Sequence, residues 1–207
     1  MFVTKTEELD KKRVRVFLDG EFAFVLYKGE LRPYHIKEGE EIPAQDYGTI
    51  MGEVLPKRAK LRSMNLLKAR AYTERQLREK LRRGEYPEEI IDTAIGYVKS
   101  YGYIDDRKYA EDYIAYHKED RSRRRMEQDL AAKGIRRELI AEVMEETADL
   151  DGEPDEITVA KKILRKKNYD PETATSREKQ KLSAFLYRKG FQMDTIRSVL
   201  LLDISSI

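Results

Sequence analysis

One pattern of five apolar residues occurs three times in this chain, in register. Leu77, Leu81, Tyr86, Ile91 and Ile95 recur 49 residues later as Met126, Leu130, Ile135, Ile140 and Met144. A further 56 residues on they recur as Leu182, Leu186, Phe191, Ile196 and Leu200. The later copies also share Lys133-Gly134 and Lys189-Gly190 just before the third apolar residue. Helical spacing inside a period near fifty predicts tandem helical units, each too small to bury its apolar face alone. Arrays of this kind usually bind something long and rarely do chemistry.

The expected fold is mainly α: three tandem three-helix units forming an elongated array, preceded by a small β-hairpin-containing amino-terminal segment. The expected divisions are 1–55 for the amino-terminal segment, then 56–103, 104–150 and 151–207 for the three units. In unit one, helices are expected near 57–71, 73–84 and 87–100. Thr73 is its N-cap candidate with Gln76 at capping-box spacing, and Pro87 stands in the first turn of the third helix. Unit two is expected to hold helices near 106–119, 122–133 and 136–149, with Ser122 repeating the cap 49 residues after Thr73. Unit three is expected near 155–168, 176–189 and 192–202, after a linker over Asp149–Asp155 containing Gly152 and Pro154. Gly134 and Gly190 suit a left-handed residue after a helix. Unit one has Glu85 at that place and Gly84 one residue early, so its turn is expected to be reshaped.

Before the repeats, Val14–Leu18 and Glu21–Tyr27 flank Asp19-Gly20, a strand–turn–strand signature. Val14, Val16 and Leu18 alternate, as do Phe22, Phe24 and Leu26, which predicts one apolar face. A short helix after Pro43 carrying Tyr47, Ile50, Met51, Val54 and Leu55 is the expected cover, with Pro56 ending it or bending it into the next.

The 207 residues are 40% hydrophobic and 39% charged, with mean hydropathy −0.73, which predicts modest cores under a large polar surface. Without cysteine, there are no disulfides, thiolate metal sites or cysteine nucleophiles. No apolar run reaches the ~20 residues of a membrane span, and Met1-Phe2-Val3-Thr4 leads into Lys and Glu rather than a signal core. A cytoplasmic protein with no membrane contact is the expectation. The net charge of +2 conceals bands: +9 over 57–83, −5 over 84–117 and +4 over 118–137. Residues 138–160 hold nine acidic and no basic side chains, and 161–190 return to +7. Such bands suit a polyanion in some places and a basic protein surface in others.

His35 and His117 lack metal-ligand companions at helical spacing. Tyr101-Gly102-Tyr103-Ile104-Asp105-Asp106 reads as a helix end, a Gly stop and an acidic start to the next helix, not as a metal site. Neither a P-loop, a Gly-rich dinucleotide turn nor a nucleophile elbow occurs. The expectation is no catalytic residue, no metal, no cofactor and no small-molecule substrate. The candidate binding residues are basic: Arg75, Arg78, Lys80, Arg82 and Arg83 in unit one, and Arg121, Arg123, Arg124, Arg125, Lys133, Arg136 and Arg137 in unit two. Clustered Arg at a helix start favours a phosphate. Tyr109, Tyr113 and Tyr116, at i, i+4 and i+7 on the preceding helix, are expected in the core.

Thr73-x3-Leu77-x3-Leu81, the Gly102–Ala110 run Gly-Tyr-Ile-Asp-Asp-x2-Tyr-Ala, Leu130-x2-Lys-Gly-Ile135 and Arg188-Lys-Gly-Phe191 together resemble the RecX family of recombinase regulators, over about residues 59–200. The hairpin, clearest at Leu18-Asp19-Gly20-Glu21-Phe22, is similar to the extension of its longer members. Glu85 at the turn, and Ser122-Arg123 where the family has Gly before Arg-x-x-x-x-Leu, depart from the pattern. The resemblance implies binding along the groove of a RecA filament and inhibition of its ATPase, coprotease and strand-exchange activities. It also implies binding to single-stranded and double-stranded DNA. The alternative is a tandem helical DNA-binding protein with a transcriptional or architectural role and no recombinase contact.

Overall fold

The computed structural model describes residues 1–151 and 155–201, with the backbone alone over 149–151. It divides into two compact units, Met1–Asp105 and Asp106 onward.

The first unit opens with a three-stranded antiparallel sheet of β1 (Val3–Glu8), β2 (Arg13–Leu18) and β3 (Glu21–Tyr27), in that order. The expected hairpin is β2–β3, and Asp19 and Gly20 both take positive φ at its tip, as a two-residue type I′ turn requires. Val14, Val16 and Leu18 are buried, as alternation predicts. The partner strand breaks its alternation. Val16 pairs with Phe24 but Phe17 pairs with Phe22, leaving Ala23 as the extra residue of a bulge. Phe24 and Leu26 therefore lie in the core while Phe22, 42% exposed, sits edge-on to Phe17 on the outer face. The expectation that Phe22 lines the apolar face is corrected by that bulge. β1 was not expected, because of its residues only Val3 is buried.

The sheet's outer edges are occupied. Val3 exchanges backbone hydrogen bonds with Glu40 and Gly39 at 2.9 Å each, and the Arg58 guanidinium donates to the Val25 carbonyl at 3.3 Å.

Two short helices, α1 (Lys28–Leu31) and α2 (Ala44–Thr49), lead to a π turn at Ile50–Val54 and then α3 (Leu55–Ala69). Pro56 has no N–H to offer, and its ring crowds the carbonyl four residues back. The widened π turn just before it relieves that crowding, so the chain passes helically through Pro56 instead of stopping there. After α3 come α4 (Glu74–Arg82) and α5 (Glu88–Ser100). The sheet and these helices share one core: Phe24 and Leu26 join Ile50, Leu55, Leu77, Leu81, Ile91 and Ile95 in a single cluster.

The second unit holds two three-helix modules. The first is α6 (Asp106–His117), α7 (Arg123–Ala132) and α8 (Arg137–Asp151). The other is α9 (Glu156–Arg165), α10 (Ser176–Arg188) and α11 (Met193–Leu200). Each has its own apolar cluster, one centred on Leu130 and Ile140, the other on Leu186, Phe191 and Ile196. The threefold register holds throughout: every repeated position is buried except Tyr86 and Leu182, which are partly buried against their clusters. Tyr109 and Tyr113 pack as expected, but Tyr116 is 81% exposed and outside the core. Of the expected linker, residues 152–154 lie outside the described residues; Asp155 caps α9, accepting from the amides of Ile157 and Thr158.

The caps repeat too. Thr73 and Gln76 form a reciprocal box at the start of α4, and Ser122 Oγ accepts from the Arg125 amide at the start of α7. In the last module Thr175 and Glu178 form the same box at α10. Thr175 lies seven residues before its core Leu182, against four in the other copies, so α10 carries one extra turn in front of the conserved register.

The turn at Glu85 is not reshaped. Its φ is +59°, in the same left-handed region as Gly134 and Gly190. The hydrogen bonds match as well: Glu85 N–H to the Arg82 carbonyl and Tyr86 N–H to Leu81 correspond to Gly134 to Ala131 and Ile135 to Leu130. Glutamate holds that backbone because its carboxylate is anchored, accepting from Arg15 Nε and Nη2 of β2 at 2.7 and 2.6 Å.

Candidate functional site

The structure sorts the basic residues singled out by sequence into two groups. In the first unit, Arg78 is held between Glu74 at 2.9 Å and Asp92 at 2.6 Å, tying α4 to α5. Burial opposes its charge, but the hydrogen bonds to Asp92 and Glu74 outweigh it and raise its pKa. Arg82 is paired with Glu88, which raises the guanidinium pKa and lowers that of the carboxyl. Arg83 reaches Glu79 at 3.1 Å on the exposed face of α4. Arg75 is exposed and Lys80 half-buried, and among the described residues neither has an ion pair.

In the second unit the Arg cluster before and on α7 is largely internal. Arg121 is hydrogen-bonded to Tyr113 and Asp129, and Arg125 Nη2 reaches Asp129 at 3.0 Å. Burial, and then the Asp129 carboxylate that accepts from it, push the Tyr113 phenol up to about 12. Arg123 bonds Glu127 at 3.2 Å, and Lys133 lies over the rings of Tyr109 and Tyr113. Arg124, Arg136 and Arg137 are exposed, with no ion pair among the described residues.

Superposing the caps adds a residue that sequence reasoning missed. Arg75 and Arg124 both stand two residues after the cap of their module's second helix, 49 residues apart. Arg177 stands two after Thr175 in the last module, and it too is exposed with no ion pair among the described residues. The signal was present in the sequence but hidden, because α10 is a turn longer and the cap spacing differs from the core spacing.

A second feature lies where the sequence pattern indicates only a helix stop. Tyr97, Tyr101 and Tyr103 form a ladder, with ring centroids 4.9 and 5.9 Å apart and the last two rings within 16° of parallel. Lys60 of α3 lies over the Tyr97 ring at 5.0 Å.

His35 bonds Asp46 at 2.7 Å and His117 bonds Asp120 at 3.0 Å. Among the described residues there is no group of three or more metal-ligating side chains placed to hold an ion, and no helix is long and apolar enough to cross a membrane.

Three family models match in order: "RecX, first three-helix domain" over residues 59–97, the second over 105–144 and the third over 154–200. A "Regulatory protein RecX" from Caldanaerobacter subterraneus subsp. tengcongensis is 31% identical over 97% of this chain and 98% of that protein. One from Clostridioides difficile is 30% identical over 96% of this chain and 93% of its own length. A solved structure, "Crystal structure of regulatory protein RecX", superposes with a TM-score of 0.57 at 23% identity, covering 97% of this chain and 98% of that one.

Proposed function

The chain belongs to the RecX family of regulatory proteins, and from that membership we propose that it regulates a RecA recombinase. In this reading it binds the RecA filament along its groove and inhibits the ATPase, coprotease and strand-exchange activities, with accessory binding to single-stranded and double-stranded DNA. It acts in the cytoplasm without catalysis of its own, and takes no cofactor, metal or small-molecule substrate.

The observation that carries the proposal is the match of all three family modules in sequence order, supported by where the structure leaves cationic side chains uncommitted. Arg75, Arg124 and Arg177 occupy one position in successive modules, at helix starts whose free N–H groups favour an anion. A repeated cation suits a partner that itself repeats, such as a filament or a phosphate backbone. The exposed Arg136 and Arg137 extend the cationic surface of the second module, while Arg78, Arg82, Arg121 and Arg125 are each paired inside their own module.

Titration into a RecA ATPase assay on single-stranded DNA tests the proposal. Inhibition below one regulator per recombinase supports it, and no effect up to excess overturns it. Replacing Arg75, Arg124 and Arg177 together by Ala is expected to weaken DNA binding and to flatten its salt dependence by about 2 in log–log slope, since each phosphate contact to a single strand contributes roughly 0.7. Sequence-specific duplex binding without the recombinase would instead favour a transcriptional or architectural role.

A further inference from the structure

We propose that the tyrosine ladder closing α5, together with the lysine stripe of α3, is a platform on which the unpaired bases of single-stranded nucleic acid stack. The inference deepens the DNA-binding part of the function proposed above and rests on it, but it assigns the contact to residues outside the basic clusters.

The ladder is not explained by folding. Tyr97 is half-buried against the core, yet Tyr101 and Tyr103 are 62% and 49% exposed, and burying aromatic faces is what ordinarily stabilises them. The backbone sets their alignment. Gly102, at φ +67°, closes α5 with hydrogen bonds from its own amide to Lys99 and from the Tyr103 amide to Val98. A left-handed residue between the two tyrosines turns the chain back, and their rings end within 16° of parallel. The result is a short stack of flat apolar faces open to solvent.

The neighbouring helix supplies the charge. Lys57, Lys60, Leu61, Met64 and Lys68 fall in one stripe of α3 at helical spacing. Lys60 reaches across to Tyr97, and Leu61 is 58% exposed. Lys57 and Lys68 are exposed and carry no ion pair among the described residues. Exposed aromatic rings at the end of α5, with uncommitted ammonium groups on the helix packed against it, match a strand whose bases are unstacked and whose backbone is anionic. Duplex DNA does not fit the rings, because its base faces are already occupied by one another.

The test uses the full chain with Tyr101 and Tyr103 both replaced by Ala, and, as a control that keeps the rings, both replaced by Phe. Fluorescence anisotropy against labelled oligo(dT) and a duplex of equal length is the readout, with circular dichroism to verify folding. The Ala variant is expected to bind oligo(dT) at least about tenfold more weakly, with duplex affinity unchanged and the Phe variant like wild type. Unchanged oligo(dT) affinity in the Ala variant overturns the platform and leaves the wider reading standing. An equal loss on both probes overturns base stacking as its basis. If the wild type binds neither probe, the accessory DNA binding falls with it, while recombinase inhibition is judged by the ATPase titration alone.

Discussion

In the first unit a sheet and three helices are joined by apolar packing; in the second, two three-helix modules are joined by polar contacts. Phe24 and Leu26 of β3 belong to the same buried cluster as Leu77, Leu81 and Ile91. Between the modules of the second unit, by contrast, the two clusters remain separate. Among the described residues their seam includes the Ser122 amide and hydroxyl donating to the Lys189 carbonyl at 3.3 Å each, Lys189 bonded to Asp120 at 3.1 Å, and Lys162 bonded to Glu119 at 2.5 Å. Hydrogen bonds and exposed ion pairs each add little net stability, whereas a buried Leu or Phe contributes about 1.5–3 kcal/mol. The same repeat is therefore used twice with different consequences. The first unit should open as one body, and the modules of the second should part more readily than either unfolds.

The largest expected effect comes from cutting the equivalent leucine in each place. Leu81 and Leu186 occupy the same repeat position and are both fully buried. Either one replaced by Ala should cost about 2–5 kcal/mol. The distribution of that loss is what separates the regions. Leu81→Ala should lower hydrogen-exchange protection across β1–β3 as well as α3–α5, because one cluster serves both. Leu186→Ala should lower it in α9–α11 and leave α6–α8 near wild type. Equal loss through both modules of the second unit would show the seam to be as cooperative as a shared core.

An effect of similar size but narrower reach is expected at the seam itself. Gly190 has φ +91°, and a Cβ there would lie 2.4 Å from Ser122 Oγ and 2.6 Å from Arg125 Cβ. The left-handed backbone alone costs a non-glycine residue roughly 1–2 kcal/mol, and forced overpacking typically adds about 1–3 more. Gly190→Ala should therefore detach the α10–α11 turn from the cap of α7 while each module keeps its own core. Faster exchange of the Ser122 amide, with the amides inside α7 and α10 still protected, is the expected pattern. Melting of both modules together would contradict the polar character of the seam.

The sequence made the repeated cores legible because helical spacing and a fifty-residue period are both short-range patterns, as at Leu77, Leu130 and Ile196. It made other features illegible for equally physical reasons. β1 buries only Val3, so no alternation announces it, and the bulge at Ala23 leaves the composition of β3 unchanged while turning Phe22 outward. The candidate site was legible as charge but not as availability. Beyond Glu74, the partner that ties Arg78 to α5 lies fourteen residues away at Asp92, and Arg121 is taken up by Asp129 eight residues on. Neither distance follows from helical spacing. Arg177 was hidden by the extra turn of α10, and Tyr101 and Tyr103 were hidden because a Gly stop accounts for their neighbourhood without reference to their rings.

Glu85 gives the smallest expected effect and the sharpest test of how sheet and helices are joined. A left-handed backbone disfavours glutamate, while two hydrogen bonds to Arg15, seventy residues away in sequence, favour it. The Arg15 hydrogen bond, partly opposed by burial, holds the Glu85 carboxyl below the usual carboxylate range. A depressed folded-state pKa means the stabilisation is present above the unfolded value, about 4.3, and is lost as pH falls through the lower folded value. Glu85→Gln should therefore lower the melting temperature of the first unit by a few degrees at neutral pH, with the difference from wild type shrinking below about pH 4. Glu85→Gly separates the two influences, because it relaxes the backbone while removing the same partner. If the ion pair is the stronger, Glu85→Gly melts below wild type at pH 7 and above it in acid, where wild type keeps the strained backbone without the charge. A Glu85→Gly variant more stable than wild type at every pH would show that the sheet is held by its apolar core alone, and that Arg15 adds orientation rather than stability.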